Sequence, residues 1–401
     1  MNIKFKAELP GNLNDFAKDA VRDVNQRFGK KGQFLNWINV LPENQLKNLD
    51  HLFELAKEAK KGGFEELAII GIGGSRHTSE SMANLLGKKV HFFSSVDPVS
   101  FERFFNSLNL EKTKFAVVSK SGGTMETSTA YEFTANLLKK HFNTQDVSNR
   151  FVAMTDASSE KSKLRRIVDN GDIKLSGFVH DDVGGRFSIF DDATIFMLAF
   201  VGVAKDDVKR MLEASLNAQK KFLSENIEEN IALQAAMFNV GAFNVGKKKH
   251  FVEYFSDAFS GTVLWEKQLK NESLKARIST DTNIGPGYLH YNAEADLDEA
   301  NKDSFFTFVS YENDDKVTNA ILKGVVTAYS AQHPFSQIIL KNLSIETIAE
   351  FAEFKHFETL YTGNILRREV GDVTPLENAL PEVLQPNVEK YKSEVRKAMA
   401  Q

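Results

Sequence analysis

Cysteine is absent from the 401-residue sequence, which excludes disulfides, thiolate metal centres and a cysteine nucleophile together. Long apolar runs are missing too. None approaches the roughly 20 residues of a membrane span, and the opening Met-Asn-Ile-Lys-Phe-Lys-Ala-Glu has no apolar signal core. There is no excess of basic residues. The formal net charge of -4 argues against a nucleic-acid partner and leaves any anionic ligand to be held by local geometry. The nine histidines stand in no His-Glu-x-x-His or comparable spacing, so no metal is expected. A Gly-x-Ser-x-Gly elbow is also lacking, which disfavours a serine hydrolase. The expectation is a cytoplasmic protein without cofactor, membrane or nucleic acid.

What is present is ordinary globular material, 42% hydrophobic and 26% charged, with length for two or three domains. The 33 phenylalanines fall in strand and helix patterns and read as core. Up to about Lys60 the pattern is helical, with a helix over Asn44–Lys61 stopped by Gly62-Gly63. Leu67-Ala-Ile-Ile70 then begins an alternation of strands and helices. Strands are expected at Val90–Ser95, Phe115–Ser119, Phe151–Thr155 and Ile173–Phe178. Such alternation means βαβ units and a parallel sheet, hence an α/β fold. Residues 204–246 read as two helices without a strand. A less regular α/β half follows, with strands at His250–Phe255, Phe305–Tyr311 and Gln337–Leu343 and a helical tail from Gln385. The predicted division is an N-terminal helical segment over 1–60, an α/β unit over 61–203, connecting helices over 204–246 and a second unit with its tail over 247–401.

Two phosphate-loop patterns are set aside. Gly71-x-Gly73 follows a strand, but Arg76 stands where a dinucleotide fingerprint needs Gly or Ala. Gly241–Lys248 nearly spells a P-loop, yet Lys248 replaces the Ser/Thr and a helix precedes it. The informative stretch is Ser119-Lys-Ser-Gly-Gly-Thr-Met-Glu-Thr127, between an apolar β-branched run and a helical pattern. A helix N-terminus offers unpaired N–H groups and positive dipole, glycines allow close backbone approach, and the hydroxyls add donors. That combination suits an anion. Taken alone it also describes a well-capped turn.

In chain order the sequence carries Gly-Ile-Gly-Gly-Ser (71–75), Ser-Lys-Ser-Gly-Gly-Thr-x-Glu-Thr (119–127), Gly-Gly-Arg-Phe-Ser (184–188), Gln-Leu-x-x-Glu-Ser (268–273) and Gln-Pro-x-Val-Glu-x-x-Lys (385–392). With these motifs the chain resembles the phosphoglucose isomerase family from about Leu67 onward. The resemblance implies two sugar-isomerase (SIS) domains, flavodoxin-like three-layer αβα units with parallel sheets. It implies interconversion of glucose 6-phosphate and fructose 6-phosphate without a metal, with a sugar phosphate as partner. Ser119, Ser121 and Thr124 would bind phosphate, with Gly74, Ser75, Gly185 and the backbone near Lys120 completing the site.

By the same resemblance Glu272 is the base that moves a proton between C2 and C1. Gln268, four residues earlier, shares its helical face and would orient the sugar. Spacing alone does not separate this pair from an exposed one. Arg186 would stabilise the enediolate. Lys392 and His290 would open the ring, with Gln385 seven residues before Lys392 on one helical face. Around His290 the chain departs from the family, having Tyr288-Leu289 for Asp-Gln, and it has Lys275-Ala276 for Gly-Lys after Glu272. In the family this histidine comes from the neighbouring subunit, so the resemblance implies a homodimer. The alternatives are a non-catalytic sugar-phosphate sensor and an isomerase that also takes mannose 6-phosphate.

Overall fold

The computed structural model describes residues 1–6, 12–285 and 287–399. The first stretch runs β1 (Asn2–Lys6), α1 (Asn14–Arg27), α2 (Val40–Lys60), β2 (Glu66–Ile70), α3 (Gly74–Leu85), β3 (His91–Phe93), α4 (Pro98–Asn106) and β4 (Thr113–Val118). It continues through α5 (Met125–His141), β5 (Phe151–Thr155), α6 (Lys163–Asp169), β6 (Leu175–Phe178), α7 (Asp192–Phe200), α8 (Lys205–Phe222) and α9 (Ile231–Asn244). Then come β7 (Lys249–Tyr254), α10 (Ser260–Leu274), β8 (Ser279–Ile284), α11 (Gly287–Asp296) and β9 (Ser304–Tyr311). The remainder is α12 (Lys316–Tyr329), β10 (Phe335–Leu340), α13 (Ile345–Glu369) and α14 (Pro386–Met399). Among the described residues no helix is long and apolar enough to cross a membrane.

Two five-stranded sheets organise the chain, in the orders β3-β2-β4-β5-β6 and β1-β10-β9-β7-β8. All pairings are parallel except β1 with β10, where Asn2 faces Ile339. In the first sheet the chain passes from β2 to β3 on one side, then crosses to β4 on the other. Ligands in open α/β sheets collect in the crevice that such a switch opens at the carboxyl ends of the strands. Here that crevice is framed by the turns after β2 and β4, which carry Gly71–Ser75 and Ser119–Thr124.

Strands buried on both faces read as continuous apolar runs, and β4 is one. Phe115 and Val117 point to a cluster under α4 and α5, while Ala116 and Val118 point to the large core shared by both halves. That core also takes in Trp265 and Leu269 of α10 and most of α13. Ser344 caps α13 by accepting from Thr347 N–H, and the helix packs against α1, α8, α9 and α10. Four fully buried charges lock α10 to α13. Lys355 donates to Glu266 at 2.8 Å and Lys270 to Glu358 at 2.7 Å, while the Tyr254 hydroxyl also donates to Glu266. Two cations and two anions balance there. The motif Gly241–Lys248, set aside above, lies on α9 and the turn after it.

Three expectations need correction. Residues 1–60 are not wholly helical, because Asn2–Lys6 alternates polar and apolar residues and forms an antiparallel edge strand on the second sheet. Strand β8 and helix α11 were not anticipated. The β8 residues Ser-Thr-Asp-Thr-Asn-Ile are too polar to read as a strand, and their place at a sheet edge permits that. Gln385 does not share a helical face with Lys392. It precedes α14, whose first residue is Pro386, a residue that starts helices because it lacks the N–H left unpaired there.

Candidate active site

The crevice opens into a cavity of about 550 Å³. One wall is the turn from β4 into α5. Ser119 Oγ accepts from Gly122 N–H and Ser121 Oγ from Gly123 N–H, each at 3.1 Å, which curls the backbone tightly. Gly122 has φ +58°, and a Cβ there would stand 2.2 Å from Leu164 N, so this turn requires glycine. Thr124 stands at the N-cap of α5 but makes no capping side-chain bond. The Thr127 hydroxyl, three residues on and also in the cavity wall, is buried without a partner. Hydroxyls and an N-terminal helical turn thus face one space, an arrangement suited to a phosphate.

Helix α3 brings a second N-terminus to the same cavity, with Gly73, Gly74 and Ser75 on the lining. A Cβ on Gly74 would fall 2.1 Å from the carbonyl carbon of Gly185. The turn after β2 therefore touches the turn that presents Arg186, and only glycine allows it. Lys120 also lines the cavity, with Nζ 3.5 Å from Asp181. Glu126 lines it as well.

The opposite end holds the chemistry-bearing groups. Arg186 is 2% exposed, and its guanidinium is held on four sides. It donates to Ser273 Oγ at 2.9 Å, to Glu272 Oε2 at 3.1 Å, to Gln385 Oε1 at 3.5 Å and to the Glu382 carbonyl at 2.6 Å. Trp265 Nε1 donates to the Arg186 carbonyl at 2.8 Å, so α10 fixes the backbone of this turn as well. Burial lowers the pKa of the guanidinium, and the Glu272 carboxylate opposes that shift. Glu272 Oε1 accepts from Gln268 Nε2 at 2.9 Å, as their four-residue spacing on α10 allows. Both carboxylate oxygens are thus oriented while the side chain remains about a quarter exposed toward the cavity.

Ser75, Ser119, Lys120, Ser121, Thr124, Gly74, Gly185, Arg186, Gln268, Glu272, Gln385 and Lys392 all line this one cavity. Lys392 reaches it from α14, with Nζ 2.8 Å from Glu389. His290 is not among the lining residues and sits exposed on α11. Sequence reasoning missed Thr127 and Asp191. Thr127 could have been found from its place one turn after Thr124 in the same motif. Asp191 is buried in the cavity wall at the start of α7, and burial pushes its carboxyl up to about 7.

Residues 39–303 match the family model described as phosphoglucose isomerase. A curated glucose-6-phosphate isomerase from Clostridium novyi is 26% identical over 79% of this chain and 78% of its own. Among solved structures, a hypothetical protein from Thermus thermophilus superposes with a TM-score of 0.85 at 21% identity, covering all of both chains. A glucose-6-phosphate isomerase from Chlamydia trachomatis gives 0.81 at 17% identity, covering 99% of this chain and 88% of that one. The last two establish the fold. The family match takes in the turns after β2 and β4, Arg186, Gln268 and Glu272, and by it the chain belongs to the phosphoglucose isomerase family.

Proposed function

We propose that the chain interconverts glucose 6-phosphate and fructose 6-phosphate through a cis-enediol, without a metal, as a step of glycolysis and gluconeogenesis. The supporting observation is that Glu272 and Arg186 share a cavity with the Ser119–Thr124 turn. The turn, with Thr127 and Ser75, anchors the phosphate. The Glu272 carboxylate takes the proton from C2 of the open-chain aldose, and the C–H electrons become the C1–C2 double bond. The C1 carbonyl oxygen gains charge and is protonated. The reaction completes when Glu272 returns its proton to C1 and the C2 hydroxyl loses one to become the ketone.

Arg186 serves this transfer through the charge it exchanges. In the resting site its guanidinium faces the Glu272 carboxylate. As that carboxylate takes up a proton it loses its charge, and the cation is left to the enediolate forming beside it. Stabilisation is then greatest in the transition state, where it accelerates the reaction. Lys392 and His290 open the cyclic substrate. Since His290 lies outside its own chain's cavity, we assign it to the cavity of a second copy, so the working form is a homodimer in the cytoplasm. The proposed units remain residues 61–203 and 247–401, with β1 crossing to the second sheet.

The test is conversion of fructose 6-phosphate, coupled to oxidation of the glucose 6-phosphate formed, after treatment of the isomerase with EDTA. Turnover is expected. A folded protein without turnover would leave a sugar-phosphate sensor as the better reading.

A further inference from the structure

Residues 370–385 join α13 to α14 without helix or strand, so their backbone carbonyls need partners from elsewhere. Buried arginines supply them. Arg27, fully buried beside Asp23, donates through Nη1 to the Asn378 carbonyl at 2.5 Å and through Nη2 to the Thr374 carbonyl at 2.6 Å. Arg367 donates through Nη1 to the Asp372 carbonyl at 2.7 Å. Further along, Arg186 Nη2 donates to the Glu382 carbonyl at 2.6 Å, the shortest of its four bonds. Two arginines thus hold the segment, and a third, the one facing Glu272, is held by it.

What fixes that carbonyl is the side chain of the same residue. Glu382 is buried and paired with the equally buried Arg367, Nε to Oε1 at 2.9 Å, with Nη2 3.5 Å from Oε2. An arginine fork on a carboxylate sets orientation as well as distance. The glutamate arm also lies in a notch on α13, where a Cβ on Gly363 would stand 2.4 Å from Glu382 Cγ. From the end of α10, Lys275 Nζ donates to the neighbouring Pro381 carbonyl at 2.8 Å. Glu382 and Arg367 themselves stand behind the cavity wall, outside its lining.

We infer that Glu382, seated by Arg367 and the Gly363 notch, is a positioning residue that sets Arg186 for the isomerisation; the inference rests on the function proposed above. Helix α10 holds one side of the guanidinium through Ser273 and Glu272. The Glu382 carbonyl and Gln385 hold the other side and restrain it from closing on the base. With Glu382 unseated, the guanidinium stays with the Glu272 carboxylate, and neither the base nor the enediolate is served in full. A misplacement of about 1 Å at such a group can cost on the order of 100-fold in rate. Binding of the phosphate, at the opposite end of the cavity, is left as it was.

The test compares kcat, KM for fructose 6-phosphate and binding of arabinonate 5-phosphate, whose planar charged carboxylate stands in for the enediolate. Gly363→Ala keeps every charge, and Ala is otherwise favourable in a helix, but its methyl group unseats Glu382. We expect kcat to fall by about 10–100-fold and arabinonate 5-phosphate to bind more weakly by a similar factor, while KM stays within about twofold. Arg367→Met with Glu382→Gln removes the grip but keeps the charges balanced. Its melting temperature should stand above that of Glu382→Gln alone, with kcat still low. Should Gly363→Ala misfold by circular dichroism, this pair carries the comparison. Parent-like kcat and analogue binding in a folded variant, or a defect confined to KM, would overturn the inference. A parent without turnover fails the isomerase reading first, and is recognised without any variant.

Discussion

Arg186 and Glu272 form an ion pair across the seam between the two halves, Nη1 to Oε2 at 3.1 Å, with the cation buried and the anion facing the cavity. Glu272→Gln keeps the shape and a hydrogen-bonding group there, but removes the base. We expect kcat to fall by about 10²–10⁴, the span of general acid–base catalysis. Exchange of the C2 proton with solvent, followed by NMR, should stop while sugar phosphate still binds. Unaltered exchange would remove Glu272 from the mechanism.

His290, exposed on α11, is expected to work in the cavity of a second copy. His290→Ala and Glu272→Gln chains, each weakly active alone, should then complement when unfolded together and refolded. Half of a random mixture is mixed dimer with one intact site, so recovery of roughly a quarter of parent activity is expected for an isologous dimer. Recovery no greater than the sum of the separate chains would place His290 outside the reaction. A larger defect on cyclic than on open-chain substrate in His290→Ala would specify ring opening.

The contact of Gly74 with Gly185 leaves no space for a methyl group. Gly74→Ala should force apart the turns that carry Ser75 and Arg186, lowering stability by about 1–3 kcal/mol and reducing kcat. Gly324→Ala, on an exposed helix with nothing near its would-be Cβ, should leave both unchanged or gain slightly in stability. Comparable losses in the two variants, measured by urea unfolding, would contradict the role of this contact.

Lys355 belongs to the buried quartet of charges. Lys355→Met leaves an anion uncompensated in the core, at a cost of about 3–5 kcal/mol. Lys355→Met with Glu266→Gln restores the balance and should recover most of that loss. Additive losses in the double variant would show that packing, not charge balance, governs the site.

Glu253 gives a pH dependence of stability. Its carboxyl is buried in β7, accepts from Asn283 through Oε1 at 3.0 Å and leaves Oε2 without a partner. Burial, reinforced by Asp296 and Asp281, pushes it up to about 8. The folded chain therefore keeps a proton that the unfolded chain, titrating near 4.3, has released. Stability falls as pH rises from about 5 to 8, with a slope approaching about 1.4 kcal/mol per pH unit. Glu253→Gln should flatten this slope, so its advantage over the parent grows through that window and levels above about pH 8. Parallel curves by urea unfolding at several pH values would refute the assignment.

The readable parts of the site were those built from one short stretch. Ser119–Thr127 announces itself because strand, glycine turn and helix start fall together, and Gln268 with Glu272 because a helix stacks residues four apart. Asp191 was invisible for the opposite reason. It stands at the start of α7, and only the packing of that helix against α2 and α3 carries it to the cavity wall. Likewise β8 is nearly as polar as a loop, and its strand state follows from pairing with β7 rather than from its own composition.

The pairing of β1 with β10 has a consequence for biosynthesis. A ribosome releases β1 long before it makes residues 335–340, and at about 5–20 residues per second the interval is some tens of seconds. Throughout that time the strand has no template. Its lysines, alternating with Ile3 and Phe5, keep the waiting segment from pairing with other nascent chains. A strand made long before its partner is thus among the last to find its place, and closing this edge completes the second sheet.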